Sequence, residues 1–305
     1  MFHRFANAGR QLSAAVVAST LLSVSASSLA ADERAQRYFQ PPEMKDLPNN
    51  EFGASVKRGY DVFTETGTYA RDYVGNGMRC ANCHLDSGRA PNAAPLWAAW
   101  VAYPAYRKKN GHVNTMEERI QGCFTYSMNA QASKIGHAPA SGSAVLVDLQ
   151  SYMYWLATGA PTGANMQGRG FPKLAQPKDG YDPKRGAEVF AQHCAMCHGA
   201  DGQGTKANGR YVFPPLWGPD SFNWGAGMHR VDTAAAFIKA NMPFGKPNSL
   251  TDQEAWDVAA FVDSHERPQD PRYTGDVAET AEKHHKHAGF YGRTVDGTLI
   301  GQGIK

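Results

Sequence analysis

The sequence predicts an all-α fold built from two copies of one helical unit. The first observation is a Cys-x-x-Cys-His run that occurs twice, at residues 80–84 and 194–198. A Lys-Arg-Gly-x-x-Val-Phe segment precedes each run, at 57–63 and 184–190, and a Pro-Leu-Trp segment follows each run. Three shared segments in the same order indicate a tandem duplication.

The repeated Cys-x-x-Cys-His run is the attachment sequence of c-type haem. A zinc site made of two cysteine pairs would need its second pair about 15–20 residues further on, whereas these runs begin 114 positions apart (194 − 80). No βαβ pattern accompanies them, which argues against a thioredoxin-like dithiol. We therefore expect two covalently bound haem c groups, attached through Cys80, Cys83, Cys194 and Cys197, with His84 and His198 as iron ligands.

In small cytochromes c, a proline carbonyl near the Pro-Leu-Trp position accepts a hydrogen bond from the iron-bound histidine. Each copy then has a helix containing Ile120 or Ile238, followed by a closing helix rich in aromatic residues, at 144–157 and 252–264. A glycine on the opening helix that faces the closing helix lets the two cross closely. We therefore expect two tandem class I cytochrome c-like domains.

Residues 1–30 have the pattern of a signal peptide, because Arg4 and Arg10 precede an apolar stretch and small residues precede Ala31. We expect export to the periplasm and no membrane span after cleavage; the alternative is an uncleaved anchor. Loss of the two arginines changes the formal charge from +3 to +1 (3 − 2). A chain so nearly neutral is not expected to bind nucleic acid.

The duplication also defines the expected domains. We expect an extended lead-in at 31–54, an N-terminal domain at 55–160, a linker at 161–180, a C-terminal domain at 181–268 and an irregular tail at 269–305. The first copy carries an insertion between Thr64 and Met78, which we expect to be a loop. The tail contains His284, His285 and His287, which could bind metal, but we expect a solvated tail.

The second iron ligand of the C-terminal haem is predicted to be Met242, which follows the Ile238 helix and precedes a proline. Histidine–methionine ligation suits electron transfer. Alternatives from the same region are Met228, His229 and Lys239.

The equivalent position of the first copy is Cys123, the only cysteine outside the attachment runs. A thiolate stabilises ferric iron and lowers the reduction potential, which suits a catalytic haem better than a simple electron carrier. The alternatives are a buried free cysteine with Met116 or Met128 as ligand, or a bond to a partner protein.

Arginine side chains accompany Cys123 in the first copy. Arg119 lies one helical turn before it, where a guanidinium can hold an anionic oxygen group by two parallel hydrogen bonds. Arg89 and Arg107 are weaker candidates for the same pocket, because such residues also serve as surface charges or as partners of haem propionates.

Several further segments resemble the dihaem thiosulfate dehydrogenases. These are Asn-Ala-Ala-Pro-Leu-Trp at 92–97, Arg-Ile-Gln-Gly-Cys with Ser-Met-Asn at 119–129, Gly-Phe-Pro-Lys-Leu at 170–174 and Phe-Pro-Pro-Leu-Trp-Gly-Pro at 213–219. The likeness covers about residues 50–270. It implies oxidation of two thiosulfates to tetrathionate in the periplasm, reversible in some members, with electrons passed to an external acceptor such as another cytochrome.

The resemblance also implies roles for individual residues. It places His84 and Cys123 on the active-site iron, Arg119 and Ser127 in the substrate pocket, and His198 with Met242 on the electron-exit haem. Some relatives have a lysine next to that methionine that replaces it on reduction. Asn241 occupies this position here, so we expect no such exchange.

The predicted mechanism is that the Cys123 sulfur leaves the iron and forms an S-thiosulfonate with the first thiosulfate. A second thiosulfate then releases tetrathionate, and two electrons pass through the two haems. Two other functions remain open. A dihaem cytochrome with methionine ligands would only carry electrons, and a protein resembling the sulfur-oxidation SoxA subunit would transfer thiosulfate to a cysteine of a carrier protein.

Overall fold

The computed structural model describes residues 37–304, so the expected signal peptide and the first part of the lead-in lie outside it. The helices are α1 (Glu51–Thr64), α2 (Thr66–Tyr69), α3 (Leu85–Gly88), α4 (Leu96–Trp100), α5 (Met116–Tyr126), α6 (Ala144–Leu156), α7 (Pro183–His193), α8 (Ala195–His198), α9 (Val231–Asn241), α10 (Asp252–Asp263) and α11 (Val277–His284). Antiparallel hairpins pair β1 (Ala105–Arg107) with β2 (His112–Asn114), β3 (Thr205–Ala207) with β4 (Arg210–Phe213), and β5 (Thr294–Val295) with β6 (Thr298–Leu299). None of the helices within 37–304 has the length and hydropathy needed to cross a membrane.

The opening and closing helices of each half cross at a glycine. In the first half α1 packs on α6, and in the second half α7 packs on α10. A Cβ atom on Gly59 would lie 2.0 Å from the carbonyl oxygen of Asp148, and a Cβ atom on Gly186 would lie 2.0 Å from that of Asp257. No other residue type fits at either crossing, which explains why glycine appears in both copies of the repeat.

The arginine before each glycine forms an ion pair with the same closing helix. Arg58 contacts the Asp148 carboxylate through two hydrogen bonds of 2.9 Å, and Arg185 contacts Asp257 through bonds of 2.7 and 2.8 Å. Because a guanidinium and a carboxylate match in this two-bond geometry, each pair fixes the register of its helix crossing. The repeated Arg-Gly dipeptide therefore has a structural explanation in both halves.

Local signals in the sequence start the second-half helices where they were expected. The Asp182 side chain accepts a hydrogen bond from the backbone N–H of Lys184, and Pro183 is the first residue of α7. Thr251 and Glu254 form a capping box at the start of α10. The closing helices end at Leu156 and Asp263, each one residue before the predicted end.

Three regions differ from expectation. Helix α1 begins at Glu51, inside the predicted lead-in, because Asn50 caps it. The insertion in the first copy forms α2 and a 3-10 turn at Arg71–Tyr73 instead of an open loop. The tail is not irregular, since it forms α11 and a hairpin, and its Phe290 and Ile300 pack into the core of the second half.

From Pro41 onward the chain forms one compact unit, and side-chain amides connect its two halves. The Asn76 amide donates to the carbonyl of Ser221 over 3.0 Å. The Asn223 amide donates to the side-chain oxygen of Asn129, also over 3.0 Å and fully buried. These bonds join the halves that carry the two Cys-x-x-Cys-His runs.

Candidate active site and haem cavities

The first Cys-x-x-Cys-His run opens onto a cavity of about 400 Å³. Cys80, Cys83 and His84 line it together with Cys123. The rest of the wall is largely apolar, with side chains that include Phe63, Leu96, Ile120, Phe124 and Met153. A largely apolar cavity that brings together two thiols, a histidine and a further cysteine sulfur would hold a covalently attached haem and offer it candidate iron ligands.

A backbone carbonyl orients the histidine ring of each Cys-x-x-Cys-His run. His84 Nδ1 lies 2.7 Å from the carbonyl oxygen of Ala94, and His198 Nδ1 lies 2.9 Å from that of Pro214. A proline supplies the carbonyl only in the second copy, so the relevant position is the residue just before Pro-Leu-Trp. Burial lowers the pKa of both histidines, which keeps each imidazole neutral with Nε2 available to a metal.

Helix α5 positions Cys123. A capping box of Thr115 and Glu118 starts this helix, and Arg119 Nη1 lies 2.9 Å from Cys123 Sγ, one turn further on. The charge of a Cys123 thiolate raises the pKa of the Arg119 guanidinium, although burial opposes this effect. A charged hydrogen bond of this kind stabilises a cysteine sulfur that carries negative charge.

Further cationic side chains line the same cavity. The Arg107 guanidinium donates to the Tyr103 hydroxyl over 2.8 Å, Arg169 also lines the cavity, and Arg79 forms an ion pair with Glu65 at 3.1 Å. Within residues 37–304, no aspartate or glutamate contributes to the cavity wall. An anionic ligand would therefore meet positive charge on entering.

The structure brings some of the predicted pocket residues together and separates one. Ser127 and Arg107 line the cavity with Arg119. Arg89 does not line it, because its guanidinium donates to the backbone carbonyls of Pro41 and Pro42. Arg89 thus ties the lead-in to the first half, and its prediction as a pocket residue is not supported by its position.

The methionines considered as alternatives to Cys123 also line the cavity. Met116 and Met128 are both buried there. Proximity alone therefore does not choose the ligand, but only Cys123 has a cationic partner, Arg119, at hydrogen-bond distance. A charged partner is expected for a thiolate and has no use beside a thioether.

In the second half, the alternatives to Met242 are engaged elsewhere. Lys239 forms an ion pair with Asp252 at 3.2 Å, and Met228 lines the first cavity. His229 is buried against two other histidines. Met242 itself directly follows α9, as predicted.

The sequence reasoning missed Arg169, which lies in the segment predicted to be a linker. Its glycine neighbours adopt positive φ angles of 81° and 72°. The carbonyls of Gly168 and Gly170 accept hydrogen bonds from the backbone N–H groups of Asn92 (2.8 Å) and Ala94 (2.9 Å). The linker therefore lies along the segment that orients His84, and the two flanking glycines were the only local sign of this path.

Comparison with known proteins identifies the two halves separately. Residues 67–162 match the family model "SoxA/TsdA, cytochrome c domain". Residues 182–262 match the model "Cytochrome C oxidase, cbb3-type, subunit III". The two matches place one cytochrome c domain around each Cys-x-x-Cys-His run, so the chain carries two covalently bound haem c groups.

Several whole-chain relatives share one name. The chain is 57% identical to a thiosulfate dehydrogenase of Stutzerimonas stutzeri, over 88% of this chain and 87% of the relative. It is 53% identical to one from Thiomonas intermedia, over 86% and 82%. A solved thiosulfate dehydrogenase (TsdBA) of Marichromatium purpuratum matches with a TM-score of 0.87 and 56% identity, over 89% of this chain and 59% of that longer chain. The chain belongs to the thiosulfate dehydrogenase family of dihaem c-type cytochromes.

Proposed function

We propose that this protein joins two thiosulfate ions into tetrathionate at Cys123, and that the two electrons leave through the second half to an external acceptor protein. The observation that carries the proposal is the Cys123–Arg119 pair inside a largely apolar cavity that is lined, within the described residues, by arginines and by no acidic residue. Family membership supports haem-linked oxidation of thiosulfate. The cavity gives a physical reason why Cys123 would form the bond to thiosulfate.

Charge is the first problem that the reaction poses. Two thiosulfate dianions repel each other strongly at bonding distance, and a low-dielectric cavity increases this cost. Arg119, Arg107 and Arg169 line the cavity without an acidic residue in its described wall. Fixed guanidinium groups can hold sulfonate oxygens by paired hydrogen bonds, which offsets the repulsion without reorganisation.

The covalent steps follow from the position of Cys123. In the first step its thiolate bonds to the outer sulfur of one thiosulfate, giving Cys–S–S–SO₃⁻ and releasing two electrons. In the second step another thiosulfate attacks that sulfur, so the Cys123–sulfur bond breaks and tetrathionate leaves. Cys123 returns as a thiolate beside Arg119, and the balance is two thiosulfates in, one tetrathionate and two electrons out.

When bound, the two haems supply one-electron acceptance at two centres, which together match the two electrons released. The chain holds His84 and His198 by equivalent carbonyl contacts. The side-chain amide bonds between the halves link the two attachment sites within one compact unit. Met242 is proposed as the second ligand on the exit side, where Met196 between the attaching cysteines is 91% exposed. That attachment site therefore lies at the surface, where an acceptor can approach.

We further propose that the mature chain works in the periplasm. The support is the signal-peptide pattern at residues 1–30 and the need of both attachment runs for export, since bacterial haem c is attached outside the cytoplasm.

The decisive experiment is replacement of Cys123 by glycine in the haem-loaded protein. We expect both haems to remain attached, because Cys80, Cys83, Cys194 and Cys197 are unchanged, and we expect tetrathionate formation to disappear. The matched control is Met128→Leu, which alters another buried wall residue of similar volume and should leave most of the activity.

Each alternative has its own signature in this assay. Substantial activity of the Cys123→Gly variant would refute the covalent scheme. Thiosulfate-dependent labelling of a carrier cysteine without free tetrathionate would favour the SoxA-like reaction. A wild-type protein that is reduced by other cytochromes but not by thiosulfate would be an electron carrier only.

A further inference from the structure

Three histidines converge at a largely buried position, and none of them lines the cavity beside the first Cys-x-x-Cys-His run. His229 ends the 3-10 turn Gly227–His229 of the second half, whereas His285 and His287 belong to the tail directly after α11. His229 Nε2 lies 3.1 Å from His285 Nδ1 and 3.2 Å from His287 Nε2. His229 and His285 are buried, and His287 is partly exposed.

The outer nitrogen of each ring lies close to an oxygen atom. His229 Nδ1 contacts the backbone carbonyl of Ala226, and His287 Nδ1 lies 3.4 Å from that of Ala288. His285 Nε2 is fully buried and lies 3.0 Å from an Asp270 carboxylate oxygen, although its N–H is not aimed straight at it. With a proton on each outer nitrogen, the three inner nitrogens present lone pairs to one another.

Three facing lone pairs repel unless a cation lies between them. We propose that His229, His285 and His287 bind a divalent transition metal ion of the zinc type, which joins the tail to the second cytochrome domain. Imidazole nitrogens are preferred ligands of such ions, and the contact of a ligand's outer N–H with a carbonyl or carboxylate is the usual support of a metal-bound histidine.

The distances suit this ion. A tetrahedral ion with Zn–N bonds of about 2.0–2.1 Å keeps its nitrogen ligands about 3.3 Å apart. Two of the three pairs are already at this spacing, and all three nitrogens lie within 4.8 Å of one another. The third pair therefore needs to close by at most about 1.5 Å. The exposed side of His287 leaves room for water as a fourth ligand.

The surroundings hold this geometry in place. The Tyr291 ring stacks on His285 with centroids 3.9 Å apart, and Trp224 packs edge-on against His229. The Asp270 carboxylate also pairs with Arg272.

The competing arrangement without a metal is a hydrogen-bonded cluster in which the ring nitrogens donate to one another. Metal content distinguishes the two arrangements directly.

The test uses untagged, haem-loaded protein, because a histidine tag would bind metal itself. After equilibration with micromolar zinc and removal of loosely bound ions, elemental analysis should find about one zinc for every two haem irons. The variants His285→Ala and His287→Ala should lose this zinc and keep their iron. The matched control His284→Ala, which alters the neighbouring residue outside the cluster, should keep both.

A second measurement remains valid if His285→Ala folds poorly. Chelator should lower the melting temperature of the wild type and of His284→Ala, but should not change that of His287→Ala, whose side chain is partly exposed. Copper or nickel at the same stoichiometry would also support the site. Wild-type protein with no more metal than His287→Ala would overturn it and leave the hydrogen-bonded cluster. Neither outcome depends on thiosulfate chemistry.

Discussion

Replacement of Arg119 by glutamine tests the electrostatic basis of the proposed reaction. The variant removes a charged hydrogen bond of 2.9 Å to Cys123 Sγ inside a buried cavity. A hydrogen bond to a charged group contributes about 1.5–3 kcal/mol. Since each 1.36 kcal/mol changes a rate tenfold, kcat/KM for thiosulfate should fall by about 10- to 150-fold.

Two control variants separate the effect of charge from the effect of hydrogen-bond geometry and of position. Arg119→Lys keeps the charge but lacks the planar two-bond geometry, so its activity should lie between that of the wild type and that of Arg119→Gln. Lys108→Gln removes an exposed cation from the same domain and should change kcat/KM by less than about twofold.

The assay is steady-state reduction of an artificial acceptor by thiosulfate, with tetrathionate and haem content measured on the same samples. A loss confined to KM would assign Arg119 to substrate binding alone, whereas a loss in kcat would link it to the reacting sulfur. The reasoning is refuted if Arg119→Gln retains wild-type kcat/KM with full haem content, or if Lys108→Gln loses as much.

Three further results are expected. Gly186→Ala should lower the free energy of unfolding by at least about 1–3 kcal/mol, because its Cβ would lie 2.0 Å from a carbonyl oxygen of α10. In the control Gly67→Ala the new Cβ meets no atom within 4 Å, so the melting temperature should stay nearly unchanged. Arg89→Gln should lower the melting temperature, because it loses contacts with the lead-in, and should keep kcat/KM within about twofold of the wild type. A large loss of kcat/KM would instead support Arg89 as a residue of the substrate pocket. Met242→His should lower the reduction potential of the second haem in a redox titration and leave the first haem unchanged; an unchanged second potential would exclude Met242 as its ligand.

Much of the fold was predictable because the signals are local. A capping box such as Thr251 with Glu254 is complete within four residues, and a Cys-x-x-Cys-His run contains its own chemistry. The duplication added a second copy against which each segment could be checked. Even the helix crossing could be predicted, since only glycine permits the contact that Gly59 and Gly186 make.

Contacts between distant segments were the part that the sequence did not reveal. Arg89 and Arg107 look alike as cations near a haem motif, and only the folded chain directs one to the lead-in and the other to the cavity. Arg169 escaped notice because it lies in a glycine-rich segment that reads as a linker. The carbonyl that orients His84 belongs to Ala94 because backbone position, and not residue type, determines that contact.

The histidines of the tail are the clearest case of a contact between distant segments that the sequence did not reveal. Its histidines were judged against their sequence neighbours, which offer no packed surroundings, and a solvated tail was the reasonable expectation. The actual partner of His285 and His287 is His229, which lies 56 and 58 positions earlier in the chain. His284, which the sequence placed in the same group, is not part of the cluster.

The side chain of Asn241 bears on whether the residue next to Met242 can act as an iron ligand. Its amide donates to the carbonyl of Phe237 within α9 and to the carbonyl of Asn92 in the first half, each over 3.0 Å. A lysine here would lose both bonds and gain a flexible amine next to Met242. The asparagine instead uses its side chain to fasten α9 to the segment that carries the His84 carbonyl contact. Residue 241 is therefore not expected to replace Met242, because an asparagine has no amine to offer and its amide is engaged in a contact between the halves.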